Sequence, residues 1–189
     1  MKLTSQAARR TIATLAVAST AILVPAVAFA ASGSAQAPQS AAIGRCLTGQ
    51  LRGWVGIPGD GTAGSTYYQL EISNISRSTC TLYGYPGVSA LRGSTQLGSA
   101  AGRNPSHRDT LLTLAPGGTS HVILQITDVG VFSPASCHAT QATSLRVYAP
   151  GAYASLRVPL MFQACARRGP VYLYISATIA GAGIPGYST

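Results

Sequence analysis

The stretch that decides the fold is "SLRVYAPGAYASLRVPL", residues 144–160. Its pattern predicts two short strands joined by a Pro-Gly turn. Apolar and polar residues alternate on both sides of the turn, which is typical of half-buried strands. In a hairpin, Leu145 and Val147 must therefore share a face with Leu156 and Val158. Only a register that keeps this match is allowed, since a slip of one residue would turn every side chain of one strand to the other face.

This register places two cations opposite each other on the other face of the hairpin. Arg146 lies opposite Arg157, and Tyr148 projects from the same face. Like charges in this position repel and destabilise a sheet unless an anion lies between them. We therefore expect a weak anion site here, for a wall phosphate or an acidic side chain of a partner. The alternatives are that the two strands belong to different sheets, or that Glu71 or Asp128 balances the charge.

Alternating stretches recur in the rest of the chain, and helical periodicity is almost absent. The clearest examples are "YYQLEIS" (67–73), "TLLTLAPGGTSHVILQIT" (110–127) and "VYLYISATI" (171–179). About eight short strands separated by Gly and Pro indicate an antiparallel β-sandwich or barrel. No βαβ pattern is present, so nucleotide-binding α/β folds are excluded.

The last of these stretches contains two candidate binding residues. If Val171, Leu173 and Ile175 face the core together with Ile179, the side chains between them face outward. Tyr172 and Tyr174 are then expected to be at least half exposed. Exposed aromatic pairs on a rigid sheet can stack on sugars or anchor a partner protein. The simpler alternative is that these tyrosines cover the second sheet of the sandwich.

The N-terminus has the pattern of a secretory signal. Three basic residues precede an apolar run at 11–27, and Ala-Phe-Ala at 28–30 has the small-x-small pattern of a cleavage site. Cleavage after Ala30 would leave an extracellular chain without a membrane span. The expected organisation is a signal peptide at 1–30, a flexible leader at 31–43, a single sandwich domain at 44–181 and a tail at 182–189.

The four cysteines have a different meaning in an exported chain than in a cytosolic one. An even number of cysteines outside the cytoplasm indicates disulfides, and no CxxC spacing suggests zinc or thiol exchange. Four cysteines allow three pairings. Cys46–Cys80 and Cys137–Cys165 are favoured because each bridge closes a local loop.

The composition is basic, which narrows the classes of partner. Removal of the signal lowers the net charge from +9 to +6, because three of the thirteen basic residues leave with it. Such an excess is compatible with an anionic cell-wall polymer or another extracellular protein as partner. Nucleic acid is not expected as a partner, because the chain is expected to be exported and because its arginines are scattered along the sequence and form no cluster.

No pattern in the sequence predicts catalysis, and neither a catalytic residue, a cofactor nor a metal site is expected. A Gly-x-Ser-x-Gly motif is absent. A secreted hydrolase remains an alternative, because a triad can assemble from distant residues such as His107, His121 or His138 with an aspartate. A copper protein is a further alternative, with Cys137, His138 and Met161 as ligands. Its spacing is wrong, since Met161 lies 23 residues beyond His138 and a blue-copper site holds these types in one short loop.

Three segments also resemble a known family. "AGSTYYQLEISNISRSTCTLYGYPGVSAL" (63–91), "LTLAPGGTSH" (112–121) and "LRVYAPG" (145–151) are similar to the secreted actinobacterial domain-of-unknown-function family 4232. The resemblance runs from about Cys46 to Gly181. It implies an exported or surface-anchored protein with an immunoglobulin-like sandwich and no assigned activity. Many members carry an N-terminal lipid-anchor cysteine, which this chain lacks.

Together these observations predict an all-β protein: an immunoglobulin-like antiparallel β-sandwich of about eight strands with two disulfides, preceded by a signal peptide. Its expected role is that of a non-catalytic binding or structural module at the cell envelope or in the extracellular space.

Overall fold

The structure, a computed structural model, describes residues 42–56, 61–62 and 64–183. These residues belong to the unit Ala41–Thr189. The predicted signal peptide, the leader as far as residue 41 and the tail beyond residue 183 lie outside the described residues.

Strands make up most of the described chain, which confirms the all-β prediction. In chain order they are β1 (Leu51–Val55), β2 (Gly61–Thr62), β3 (Ser65–Asn74), β4 (Cys80–Tyr83), β5 (Gly87–Arg92), β6 (Thr95–Leu97), β7 (Gly102–Arg103), β8 (Leu111–Leu114), β9 (Thr119–Thr127), β10 (Ala139–Tyr148), β11 (Leu156–Cys165), β12 (Leu173–Ile175) and β13 (Ile179–Ala180). The short helix α1 (Pro134–Cys137) and two 3₁₀ segments, Thr48–Gln50 and Val129–Val131, connect them. More strands form than the eight expected, because glycines, prolines and bulges divide the chain into pieces as short as two residues.

The strands form three sheets. The large sheet has the order β1-β3-β9-β12-β7, with β13 also paired to β9 and β2 to β3. The four-stranded sheet has the order β11-β10-β5-β6, and β4 pairs with β8 in a small third sheet. The pairs are antiparallel except β12 with β7. The strands on either side of the Pro-Gly-Gly turn, β8 and β9, belong to different sheets.

The main core lies between the large and the four-stranded sheet, as a sandwich requires. Leu70, Leu124 and Leu173 from one sheet and Leu145 and Val158 from the other are fully or almost fully buried in it. A second cluster beside the small sheet contains the Cys46–Cys80 disulfide. The other bridge joins Cys137 to Cys165, so the structure has the pairing that the sequence analysis favoured.

The β10–β11 hairpin has the predicted register. Leu145 pairs with Val158, Val147 with Leu156, and Arg146 lies directly opposite Arg157. The alternative that these strands belong to different sheets is therefore wrong. The requirement that one face be apolar was sufficient to set the register, because the Pro-Gly turn keeps the two strands adjacent.

The predicted strand at 171–179 is interrupted, and the expected common face is only partly correct. Leu173 and Ile175 face the core, but Val171 is exposed and Ile179 lies on the outer face. Ile175 pairs with Leu124 and Ile179 with His121, so four residues on this strand oppose three on β9. The extra residue turns the side chains that follow it to the opposite face.

Candidate functional site

The two arginines predicted from the hairpin lie on the outer face of the four-stranded sheet. Arg146 pairs with Ser89 of β5 on one side and with Arg157 of β11 on the other, so the three residues form a row across three strands. Val147 and Val158, the next residues along the two strands, are fully buried on the inner face. Alternation therefore directs both guanidinium groups to the solvent side of the sheet.

Both guanidinium groups donate hydrogen bonds to the same two-residue turn between β5 and β6. Arg157 Nη2 donates to the carbonyl oxygen of Gly93 at 2.6 Å, and Arg146 Nη2 donates to that of Ser94 at 3.2 Å. Arg157 Nη1 also donates to Ser144 Oγ at 3.3 Å. The carbonyl dipoles of the turn offset part of the repulsion between the two cations, a compensation that the sequence analysis did not consider.

We call the surface formed by Arg146 and Arg157 the arginine face. Arg92, the last residue of β5, does not belong to it, because it follows Val88 and Ala90 in the alternation of the inner face. Its Nη1 donates to Thr140 Oγ1 at 3.0 Å.

The carboxylates proposed to balance these charges lie elsewhere. Glu71 is on β3 of the large sheet, and Asp128 Oδ1 accepts a hydrogen bond from the N–H of Gly130 at 2.9 Å. No ion pair involves the arginine face among the described residues. A guanidinium group has five N–H donors, so most of those on this face remain open to solvent.

Tyr148 is half-buried at the edge of the arginine face. It pairs with Gly87 of β5 and lies over this glycine, where an added Cβ would come within 3.5 Å of the tyrosine Cβ. Part of its ring remains accessible beside Arg146, which agrees with the predicted projection from that face.

The expectation for Tyr172 is wrong. Its side chain is fully buried in the main core, and its hydroxyl donates to the carbonyl oxygen of Leu97 at 3.1 Å. Burial raises the pKa of this phenol well above its ordinary value. Tyr172 precedes β12 and therefore does not follow the alternation of that strand. Tyr174 is within β12 on the outer face of the large sheet, but it is less than half exposed, so the expectation is wrong for this residue as well. The structure does not bring the two tyrosines together as a surface pair.

A buried carboxylate on the outer face of the large sheet was not predicted. Glu71 pairs with His121 across β3 and β9 and is only 2% exposed, because the segment after β13 crosses this face. Gly183 N–H donates to Glu71 Oε1, and His121 Nδ1–H donates to the Gly181 carbonyl oxygen, both at 2.9 Å. Burial raises the pKa of the Glu71 carboxyl above 4.5, against smaller lowering effects of the Gly183 hydrogen bond and of His121. Alternation alone predicts an exposed Glu71, and the covering segment comes from 112 residues further along the chain.

The residues of the catalytic and copper alternatives are dispersed. His107 lies in the loop after β7, His121 on β9, and His138 follows α1. Cys137 is bonded to Cys165, which removes the thiolate that a blue-copper centre needs. In the described ranges, no three His, Cys, Asp or Glu side chains form a group able to hold a metal ion.

The described part of the chain contains no helix that is both long and apolar enough to span a lipid bilayer. Its two disulfides fit an extracellular protein.

Comparison with known proteins gives one match. Residues 46–176 match the family model described as a domain of unknown function, DUF4232. No curated protein and no solved structure matches the chain. The match covers more than half of the sequence and includes both disulfides and the whole arginine face, and the chain therefore belongs to the DUF4232 family.

Proposed function

We propose that this protein is an exported, non-catalytic binding module whose arginine face holds a phosphate-bearing polymer of the cell envelope. The observation that supports this proposal is the row of two directly opposed arginines, Arg146 and Arg157, which have no carboxylate partner among the described residues. Guanidinium groups bind phosphate in a bidentate manner. An anion between the two cations would also remove their mutual repulsion.

The way the face is held supports binding of an extended ligand. Both arginines are anchored to the carbonyl oxygens of one turn, which limits the side-chain freedom that binding would otherwise have to remove. The row lies on an open sheet surface and not in an enclosed pocket, which suits a polymer better than a small substrate. A single phosphate contact on such a surface is weak, and repeated phosphates along a polymer multiply it.

Co-sedimentation of the secreted, oxidised protein with isolated cell-wall sacculi tests this proposal. Retention of the wild type should fall steeply as salt rises. It should also fall when the phosphate polymers are extracted from the sacculi. The double variant Arg146→Gln with Arg157→Gln should bind about tenfold more weakly, which corresponds to ~1.4 kcal/mol.

A matched control separates the site from the net charge. Arg77 and Arg168 are exposed and lie outside the arginine face, and replacing both by Gln changes the net charge by the same amount. This control should retain nearly wild-type binding. Equal losses in the two double variants would mean that only the overall charge matters, and the proposed site would be wrong.

A further inference from the structure

A second surface lies at the end of the sandwich where the β10–β11 hairpin turns. Four large apolar side chains are exposed there: Leu47 at 68%, Tyr83 at 58%, Leu111 at 67% and Tyr153 completely. They line two adjoining depressions of about 600 and 430 Å³, and Arg45 lines both. We call the surface formed by these five residues the loop-end patch.

The backbone under the loop-end patch is fixed from several directions. Arg45 forms a parallel bridge with Thr81 of β4, and the adjacent Cys46 is bonded to Cys80. Thr48 Oγ1 donates to the carbonyl oxygen of Ala154 at 2.9 Å, which ties the N-terminal segment to the hairpin loop. These constraints hold the side chains of the patch on a preformed surface, so a partner would bind with a small ordering cost.

The side chains of the patch are of the types that dominate protein interfaces. Tyrosine and arginine are enriched at binding hot spots, and clustered exposed apolar side chains on a monomer mark interaction sites. Tyr83 and Leu111 face solvent as a directly opposed pair on β4 and β8, with both side chains more than half exposed. The fold leaves the apolar surface of these two side chains exposed to water, and a partner that covers it would gain the free energy of its burial.

The charge of the patch indicates the chemistry of the partner. Arg45 is exposed, and among the described residues it has no ion pair and no acidic residue lines either depression. A second copy of the chain would bring another Arg45 to a symmetric contact, whereas the carboxylate of Asp109 lies at the edge of the patch, beside Gly84, and lines neither depression. An acyl lipid would need an enclosed apolar cavity, whereas the completely exposed Tyr153 shows that this surface is open.

We propose that the loop-end patch binds an extended segment of a partner protein in which an acidic side chain is flanked by apolar ones. The acidic side chain pairs with Arg45. The apolar side chains on either side enter the two depressions, against Leu47 and Tyr153 in one and against Tyr83 and Leu111 in the other.

Selection from a random peptide library displayed on phage, with the secreted, oxidised protein as target, tests this inference. The selected peptides should share an acidic residue between apolar residues. Arg45→Glu should weaken the binding of a selected synthetic peptide at least tenfold, and Tyr153→Ser should weaken it severalfold. Changing the acidic residue of the peptide to Lys should restore its binding to the Arg45→Glu variant. Arg77→Glu provides the matched charge reversal at an exposed position outside the patch and should bind like the wild type.

The results that would overturn the inference are equally specific. Selected peptides without a shared acidic residue, or peptide binding that does not change in Arg45→Glu, would contradict the role of Arg45. Displacement of the peptide by laurate that binds as tightly as the peptide would indicate a lipid as occupant. A dimer in sedimentation velocity that Tyr153→Ser dissociates would indicate a second copy of the chain. The double variant of the arginine face should bind the selected peptide normally. Failure of the envelope proposal is therefore distinguishable from failure of this one.

Discussion

Replacing Gly98 by Ala tests how tightly the core is packed around Tyr172. Gly98 has a φ of +62°, and a Cβ at this position would lie 2.7 Å from the carbonyl oxygen of Cys165 and 2.9 Å from Cε1 of Tyr172. Both distances are shorter than real Cβ contacts. The variant must therefore displace either the disulfide-bonded backbone or a fully buried ring whose hydroxyl donates to the Leu97 carbonyl oxygen.

The expected loss of stability follows from three contributions. The left-handed conformation costs a non-glycine residue about 1 kcal/mol, overpacking of a core costs about 1–3 kcal/mol, and a displaced tyrosine hydroxyl adds about 1 kcal/mol or more. The sum is about 3–5 kcal/mol, a large part of the stability of an ordinary domain. Gly93→Ala is the matched control, because Gly93 has a φ of +59° and its added Cβ would meet no atom within 4 Å. This control should lose only about 1 kcal/mol.

Urea unfolding of the oxidised proteins, followed by circular dichroism, measures both losses on the same scale. The slope of the free energy against urea should stay the same in both variants, since the surface exposed on unfolding does not change. Similar losses in Gly98→Ala and Gly93→Ala would show that the surroundings of Tyr172 yield without cost. The account of a tightly packed Tyr172 would then be wrong.

Three further predictions concern charge and covalent structure. The raised pKa of Glu71 means that its contribution to stability is fully present below pH 4.5 and is lost as the pH rises through the folded-state pKa. Glu71→Gln should therefore flatten the difference in unfolding free energy between acidic and neutral pH, and a difference equal to that of the wild type in urea unfolding would contradict this account. Replacing both Cys137 and Cys165 by Ala should cost about 3–4 kcal/mol in the chain-entropy account, since the bridge spans 28 residues; a loss below ~1 kcal/mol in urea unfolding would contradict this account. In a double-mutant cycle at low salt, the loss of unfolding free energy in the double variant Arg146→Gln with Arg157→Gln should exceed the sum of the losses in the two single variants by about 0.2–1 kcal/mol, because each single substitution already removes the repulsion. Additive losses would show that the opposed cations do not repel.

The sequence predicts those parts of the structure that depend on neighbours in the chain. The hairpin register was predictable because a local turn joins two strands whose apolar faces must match. The inward orientation of Val88 and Ala90, which follow Pro86 and Gly87, agrees with the same alternation of apolar and polar residues. Both disulfides close loops that are short relative to the chain, and locality favoured the pairing that the structure contains.

The sequence does not predict features that depend on distant segments or on a single inserted residue. Tyr172 was misplaced because alternation was extended beyond the three residues of β12, and the insertion after Ile175 turned Ile179 outward. Glu71 is buried by a segment near the end of the domain, which no pattern around β3 indicates. Both arginines of the arginine face are anchored to the Gly93–Ser94 turn through strand pairing between distant parts of the chain.

The arginine face is difficult to explain by stability alone. Arg146 and Arg157 occupy solvent-facing positions where threonine or glutamine would avoid the repulsion between opposed cations and keep the strand alternation intact. Their hydrogen bonds to Gly93 and Ser94 hold the turn between β5 and β6, but these bonds do not remove the repulsion between the two cations. A local arrangement that opposes folding is expected where a binding site is present, because binding requires groups that are not already satisfied within the protein. The double variant should therefore lose the proposed ligand and, at the same time, the mutual repulsion of the two cations, and it is this combination that separates a binding role from a purely structural one.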